Sequence, residues 1–289
     1  MKEIQDLVNK KSLNFVAIIV TYNPDDILIR SLEVLCAQFD LVVIIDNCST
    51  NKSFIASLTS LYGDKLLINF LNENYGIAAA LNIGIEICER YGNPWVLTLD
   101  QDSIVCKDFL FNYKSVIERF NASSLAPGYY FTGAKLDASI SPVTYAITSG
   151  QMTKLDLIQK VGGFDDEFFI DGVDFDFSLK IINVGETIFK VNSAYIEHRL
   201  GDKSCGVPIL RRFHTYHNPV RRYYIYRNMI FLIKKYFLKN TYFVIKHVTA
   251  NFIYIFTIIL LGERRLESLR YIVRGVFHGL IGRSGRFVE

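Results

Sequence analysis

Apolar runs recur along the first half of this chain: FVAIIV, LVVIID, LLINFL, WVLTLD and YYFTG, between residues 15 and 133. Segments with helical periodicity separate them near residues 26–37, 51–61, 76–91 and 108–120. Strands that are apolar almost throughout need cover on both faces. Their alternation with helices therefore predicts an α/β fold, Rossmann-like, with a mostly parallel sheet and helices on either side. Sheets of this kind gather ligands at the carboxyl ends of their strands. Those ends read Thr21-Tyr22-Asn23-Pro24, Asp46-Asn47, Asn72-Glu73-Asn74 and Asp100-Gln101-Asp102, which makes one polar rim. Polar loops account for any one of them, but less well for acidic residues at two equivalent strand ends.

Asp100 and Asp102 are like charges one residue apart. Such a pair is most useful around a cation, and a hard cation such as Mg2+ binds through one or two carboxylates plus substrate phosphates. The stretch NYGIAAALNIGIEIC reads as a helix starting at Gly76 behind an Asn74 cap, with small residues for close packing on the sheet and Asn82 as a packing hydrogen bonder. Beyond residue 133 the alternation weakens. Gly162-Gly163 reads as a turn, followed by a helix that begins near Asp174 and stops at Gly185. Asp171, Asp174 and Asp176 cluster at that start, where the helix N-terminus favours the charged form of a carboxylate. Capping needs only one of them, which leaves two for chemistry.

A chain of 289 residues, half of them hydrophobic, makes one large domain, with or without a tail, and excludes disorder. A net charge of +3 is too small to indicate nucleic-acid binding, although Lys and Arg crowd the region after residue 199 and point to an anionic surface there. Cys36, Cys48, Cys88, Cys106 and Cys205 form no CxxC pair, so neither a zinc site nor a disulfide framework is indicated. The N-terminal MKEIQDLVNKKSLNF carries charges where a signal peptide needs an apolar core, and a cytosolic protein is expected. Near the other end, FIYIFTIILL falls short of the ~20 apolar residues that span a bilayer. With Lys246, His247 and Asn251 upstream and Arg264, Arg265, Arg270 and Arg274 downstream, it predicts a helix lying in the membrane interface. A helical tail packed on the domain is the alternative.

The ordered series VTYNP, VVIIDNCST, NENYGIAAALNIGI, LTLDQDS, GGFDDEFFIDGVDFDFSLK, HRLGD and RRYYIYRN resembles the inverting family 2 glycosyltransferases of GT-A fold, and within them the bacterial rhamnosyltransferase branch. The likeness runs from residue 15 to about 235. It implies a GT-A domain over 1–235, with a nucleotide-binding part at about 15–133 and an acceptor and catalytic part at about 134–235, before a helical tail at 236–289. By the resemblance, Thr21, Tyr22 and Asp46 hold the nucleotide and Asp100 lies close to the sugar nucleotide. Asp102 ligates Mg2+ or Mn2+ on the diphosphate with help from His198, and Asp174 is the catalytic base. The family has Glu before that base where this chain has Val173, so Asp171 becomes the candidate second carboxylate.

The implied reaction moves L-rhamnose from dTDP-L-rhamnose to a lipid-linked glycan acceptor in cell-surface polysaccharide synthesis, on the cytoplasmic face of the membrane. A UDP-hexose or UDP-galactofuranose is the alternative donor. Other classes fit less well. A haloacid-dehalogenase-like phosphatase places its Asp-x-Asp after the first strand, not the fourth. A nucleotidylyltransferase needs glycines where this chain has TYNPDD, and no GxGxxG or GxxxxGK occurs. A non-enzymatic membrane scaffold leaves the rim carboxylates unexplained.

Overall fold

The computed structural model describes residues 14–92, 94–130, 137–198, 218–261 and 264–288. Its first half alternates as expected: β1 (Phe15–Thr21), α1 (Ile27–Gln38), β2 (Leu41–Asp46), α2 (Lys52–Ser57), α3 (Thr59–Tyr62), β3 (Leu66–Phe70), α4 (Ile77–Glu89) and β4 (Trp95–Asp100). These strands form a parallel sheet in the order β3-β2-β1-β4. Alternate residues of β1 enter two different cores, which is why the strand is apolar throughout. Val16 and Ile18 pack with Ala78, Ala80, Leu81 and Ile85 of α4, while Ala17 and Ile19 pack with Leu28, Leu32 and Leu35 of α1. At Gly84 a Cβ would stand 2.7 Å from Ile18 Cγ2, so α4 rests on the sheet at its own backbone. Asn74 does not cap that helix directly: its Oδ1 accepts from Gly76 N at 3.0 Å and forms the turn before it, and Gly76 (φ 90°) is the boundary residue.

The second half continues with β5 (Ser103–Val105), α5 (Phe109–Phe120), β6 (Ser124–Tyr130), β7 (Ile140–Val143), β8 (Met152–Lys154), α6 (Leu155–Lys160), α7 (Val173–Asn183) and β9 (Ile188–His198). The sheet extends as β4-β8-β6-β9-β5, with β7 on β9. Here β6 pairs with β9 in parallel, and the pairs β4/β8, β6/β8, β5/β9 and β7/β9 are antiparallel. The sheet is therefore parallel in its first four strands and mixed beyond them. Antiparallel neighbours need no helical crossover, and the helix–strand alternation that signals parallel pairing fades at the same point in the sequence. Of the run YYFTG, Tyr129 and Tyr130 close β6 and the rest lies outside the described residues.

Three helices follow: α8 (Pro219–Tyr236), α9 (Thr241–Leu261) and α10 (Arg265–Ile281). Asn218 Oδ1 accepts from Val220 N at 3.1 Å and Pro219 opens the helix, a favourable start for α8. Helix α10 lies directly on α8. A Cβ at Gly275 would meet Tyr223 O at 2.4 Å, and one at Gly279 would meet Arg227 O at 2.8 Å. Buried polar bonds lock the pair, Arg222 to Ser268 and Tyr223 Oη to His278 Nδ1 (2.8 Å).

Helix α9 is different. Val244, Asn251 and Ile258 face inward, whereas Tyr242, Ile245, Phe252, Phe256 and Leu260 are exposed. It runs without a break through Lys246, His247 and Asn251, so Thr241–Leu260 is long and apolar enough to cross a membrane by length and composition. This corrects the expectation of a short apolar run, because the polar residues upstream do not end the helix.

Candidate active site

A cavity of about 440 Å3 opens over the carboxyl ends of β1 and β4, lined by Thr21, Tyr22, Asn47, Asn74, Asp100, Gln101, Asp102 and Arg221 among others. The parallel register puts Thr21 beside Asp46 and Val20 beside Asp100, so the rim residues lie at one level. Tyr22 is half exposed at its edge. Asp46 does not line the cavity; it is fully buried beneath it. Its carboxylate accepts from Thr21 Oγ1 (3.1 Å), Ser49 N (3.0 Å) and the Ser49 hydroxyl. From below the cavity this carboxylate orders the loop after β2, and that loop presents Asn47 to the cavity.

Gln101 explains the middle position of the DQD sequence. Its Oε1 accepts from Tyr22 N at 2.7 Å and its Nε2 donates to Tyr22 O at 3.2 Å, so the loop after β4 holds the loop after β1. Asn23 continues the tie: its Oδ1 accepts from Thr50 N and Thr50 Oγ1 at 2.8 and 2.9 Å. Strand β9 pairs with β5 so that His198 stands opposite Ser103, the residue after Asp102. The antiparallel register thus brings two positions 96 residues apart in number to neighbouring sites on the rim, although only the backbone of His198 is described.

Next to the first cavity lies a second of about 390 Å3, sharing Ile77, Asp100, Thr148, Ile170 and Arg221 with it and adding Asp171, Asp174, Phe175, Met229 and His247. Asp174 sits in the first turn of α7, where the helix dipole alone would favour a carboxylate. Burial wins. Desolvation, reinforced by the nearby charges of Asp171 and Asp100, pushes Asp174 up to about 7 despite the bond from Phe175 N (3.0 Å).

Asp171 is committed elsewhere. Arg221 holds it with Nη2 at 2.9 Å and Nε at 3.1 Å from each carboxylate oxygen. Burial by itself would lower the Arg221 guanidinium, but the carboxylates of Asp171, Asp100 and Asp174 outweigh it and raise it. Asp176, two residues past Asp174, points the other way. It is fully buried and meets Lys235 Nζ (2.6 Å), Lys180 Nζ (3.0 Å) and Tyr236 Oη (2.7 Å), binding α7 to α8.

The loop that carries these groups is unusual. Phe169, Asp171 and Gly172 all have positive φ (58°, 63° and 82°), which is costly for the first two. Helix α8 supplies the restraint. Asn228 Nδ2 donates to Phe168 O (2.8 Å), Ile170 O (2.8 Å) and Asp171 O (2.6 Å). The fully buried Arg227 donates to Glu167 O and Phe168 O at 3.0 Å and to Gly285 O at 2.5 Å. Asn82 steadies the turn before the loop, donating to Phe164 O (2.8 Å) and Asp166 Oδ1 (2.7 Å), which is the packing role expected of it. Sequence reading singled out RRYYIYRN only as a motif. Its content, Arg221 on the site and Arg227-Asn228 behind the loop, depends on partners 50 to 60 residues away.

A parallel sheet with carboxylates at its rim, beside a half-buried acid raised to about 7, has the groups that group transfer requires. The chain belongs to glycosyl transferase family 2, whose model matches residues 16–163. Over 299 residues it is 28% identical to the dTDP-rhamnosyl transferase RfbF of Shigella flexneri, an alignment that covers 94% of this chain and 97% of that one. Among solved structures, the fold is shared with S. aureus TarS 1-349 in complex with UDP-GlcNAc (TM-score 0.66, 17% identity, 93% of this chain and 81% of that chain). It is shared in part with GalNAc-T7 in complex with UDP, GalNAc and Mn2+ (TM-score 0.56, 14% identity, 66% of this chain). This chain spans 44% of the GalNAc-T7 chain.

Proposed function

We propose that the protein transfers L-rhamnose from dTDP-L-rhamnose to a glycan hydroxyl with inversion at the anomeric carbon, Asp174 being the base. The observation that carries this reading is Asp174 itself. A general base works best with a pKa near the working pH, and this carboxyl is raised to about 7 on the wall of a cavity that adjoins the nucleotide-type rim. The donor sugar is supported by the relative's activity together with an alignment that spans nearly all of both chains. In the transfer, the acceptor oxygen forms a bond to the anomeric carbon, the bond from that carbon to the diphosphate oxygen breaks, and the hydroxyl proton passes to Asp174. Thr21, Tyr22 and Asn47 bind the nucleoside, and the Arg221 guanidinium faces the diphosphate.

A divalent cation, Mg2+ or Mn2+, fits the rim. Asp100 and Asp102 offer hard oxygen ligands, and the backbone of His198 stands one residue along the β5/β9 pair from Asp102. A hard ion bound through one or two carboxylates completes its shell with substrate phosphates. When bound, the ion supplies positive charge to the departing diphosphate.

The acceptor in this proposal is lipid-linked and the enzyme lies on the cytoplasmic face of the membrane. A helix this rich in large apolar residues is ordinarily buried, yet the outer face of α9 has no protein over it among the described residues. Its inner face carries His247 and Asn251 toward the domain, which favours a helix immersed along one side over one that crosses. Two experiments test these readings. Thermal shift and turnover with dTDP-rhamnose, UDP-hexoses and UDP-galactofuranose, with and without Mg2+ or Mn2+, should single out the rhamnosyl donor; preference for a UDP-sugar overturns that assignment. Flotation with anionic liposomes should carry the wild type, and a Phe252→Asp/Phe256→Asp variant should stay behind; a wild type that fails to float refutes the membrane reading.

A further inference from the structure

One wall of the second cavity belongs to neither the sheet nor α7. It is His247, from the middle of α9. The imidazole is held on three sides. Its ring meets Phe175, the residue after Asp174, edge-on at 4.7 Å, lies parallel to Phe243 at 6.1 Å, and has Asn251 Nδ2 3.3 Å from Nε2. Burial lowers its pKa, so the ring is neutral at pH 7. An amide NH2 can only donate, so Nε2 accepts from Asn251 and the ring proton resides on Nδ1. Among the described residues Nδ1 has no hydrogen-bond partner. The ring lines the cavity that holds Asp174, together with Phe175, Ile225, Met229 and Leu232.

We infer that His247 binds the acceptor: its Nδ1–H donates to a second oxygen of the sugar unit whose hydroxyl Asp174 deprotonates. The acceptor class that fits is a pyranoside, which offers hydroxyls to Asp174 and His247 and a C–H face to Phe175 and Met229. This rests on the glycosyl-transfer reading above. It also gives α9 two duties, since the helix whose outer face meets lipid would carry an acceptor-reading group on its inner face.

The test uses full-length protein with octyl pyranosides (rhamno-, gluco-, galacto- and N-acetylglucosamino-) as acceptor probes. His247→Phe keeps a ring between Phe175 and Phe243 and removes the donor; His247→Gln restores a polar tip. With the best probe, His247→Phe should raise the acceptor KM about tenfold, the loss of one substrate hydrogen bond. Affinity for dTDP should stay within twofold, the melting temperature should hold, and His247→Gln should recover part of the loss. Acceptor kinetics unchanged in folded His247→Phe, or dTDP affinity falling in parallel with acceptor affinity, overturns the assignment. A wild type that glycosylates none of the probes overturns the pyranoside class. A wild type that turns over no sugar nucleotide at all instead removes the transfer reading beneath it.

Discussion

The rim cavity, proposed for the donor, and the cavity around Asp174, proposed for the acceptor, are assembled by different means. On the donor side the sheet does the aligning: Thr21 and Asp46 are register partners, Asp100 ends the adjacent strand, and Gln101 reaches across to Tyr22. On the acceptor side the loop 167–172 bends through three positive φ angles and is held by two side chains of α8. Repetition makes the first arrangement tolerant. The second depends on a few long-range bonds and should be brittle.

Substitutions on the two sides can break that contrast. The largest effect is expected from Asp174→Asn, which keeps shape and removes the proton acceptor: turnover should fall about 10²- to 10⁴-fold while calorimetry shows dTDP binding retained. Donor binding lost together with turnover would mean that Asp174 serves both sides. Next comes Asp176→Ala, which takes the buried carboxylate from Lys180 and Lys235, the latter keeping Asp165, and should cost about 3 kcal/mol in denaturant unfolding. Asn228→Ala leaves the carbonyls of Ile170 and Asp171 without their donor, while Phe168 O keeps Arg227, and should cost about 2 kcal/mol at roughly 1 kcal/mol each, with slower turnover. Gln101→Ala, its counterpart on the donor rim, also removes bonds to a loop but in an exposed place, and should cost less than about 1 kcal/mol. Equal losses from the last two would erase the difference between the sides.

A separate contrast is one of pH. Asp174 must be ionised to act, so kcat/KM should climb as pH rises through about 7 and level off above it. Stability moves in the opposite sense. The folded protein keeps this proton up to about 7, whereas the unfolded chain releases it near 3.9. The stability it contributes is therefore complete below the unfolded value and lost as pH rises through the folded one. Asp174→Asn should melt above the parent at pH 8, with the gap closing toward pH 4. A constant gap would point to packing in place of ionisation.

The donor side was largely legible because its signals are local. Near-continuous apolar runs marked β1 to β4, and the polar strand ends marked the rim. What could not be read there was depth: Asp46 and Asp100 stand at equivalent strand ends, yet one is buried under Thr21 and Ser49 and the other lines the cavity. On the acceptor side the helix start at Val173 was legible, and the state of its carboxylate was not. The dipole argument holds for an exposed first turn, and Asp174 is not exposed enough for it to win. Asp174 and Asp176 also looked alike in sequence. Two residues along a helix is a rotation of about 200°, which sends one into the cavity and the other against α8. Arg221, Asn228 and His247 left no periodic trace, since each meaning lies in a partner far along the chain.

The clamp on the loop also sets a schedule. During synthesis, the strands of the donor rim can pair as soon as they emerge, since all end by residue 105. The loop near residue 170 must wait for Arg227 and Asn228, and Arg227 for the carbonyl of Gly285. At cellular elongation rates of about 5–20 residues per second, that interval is on the order of ten seconds. A nascent chain can thus pair the strands that carry Thr21, Asn47 and Asp100 while the groove around Asp174 is still unformed, so that the proposed site is completed last.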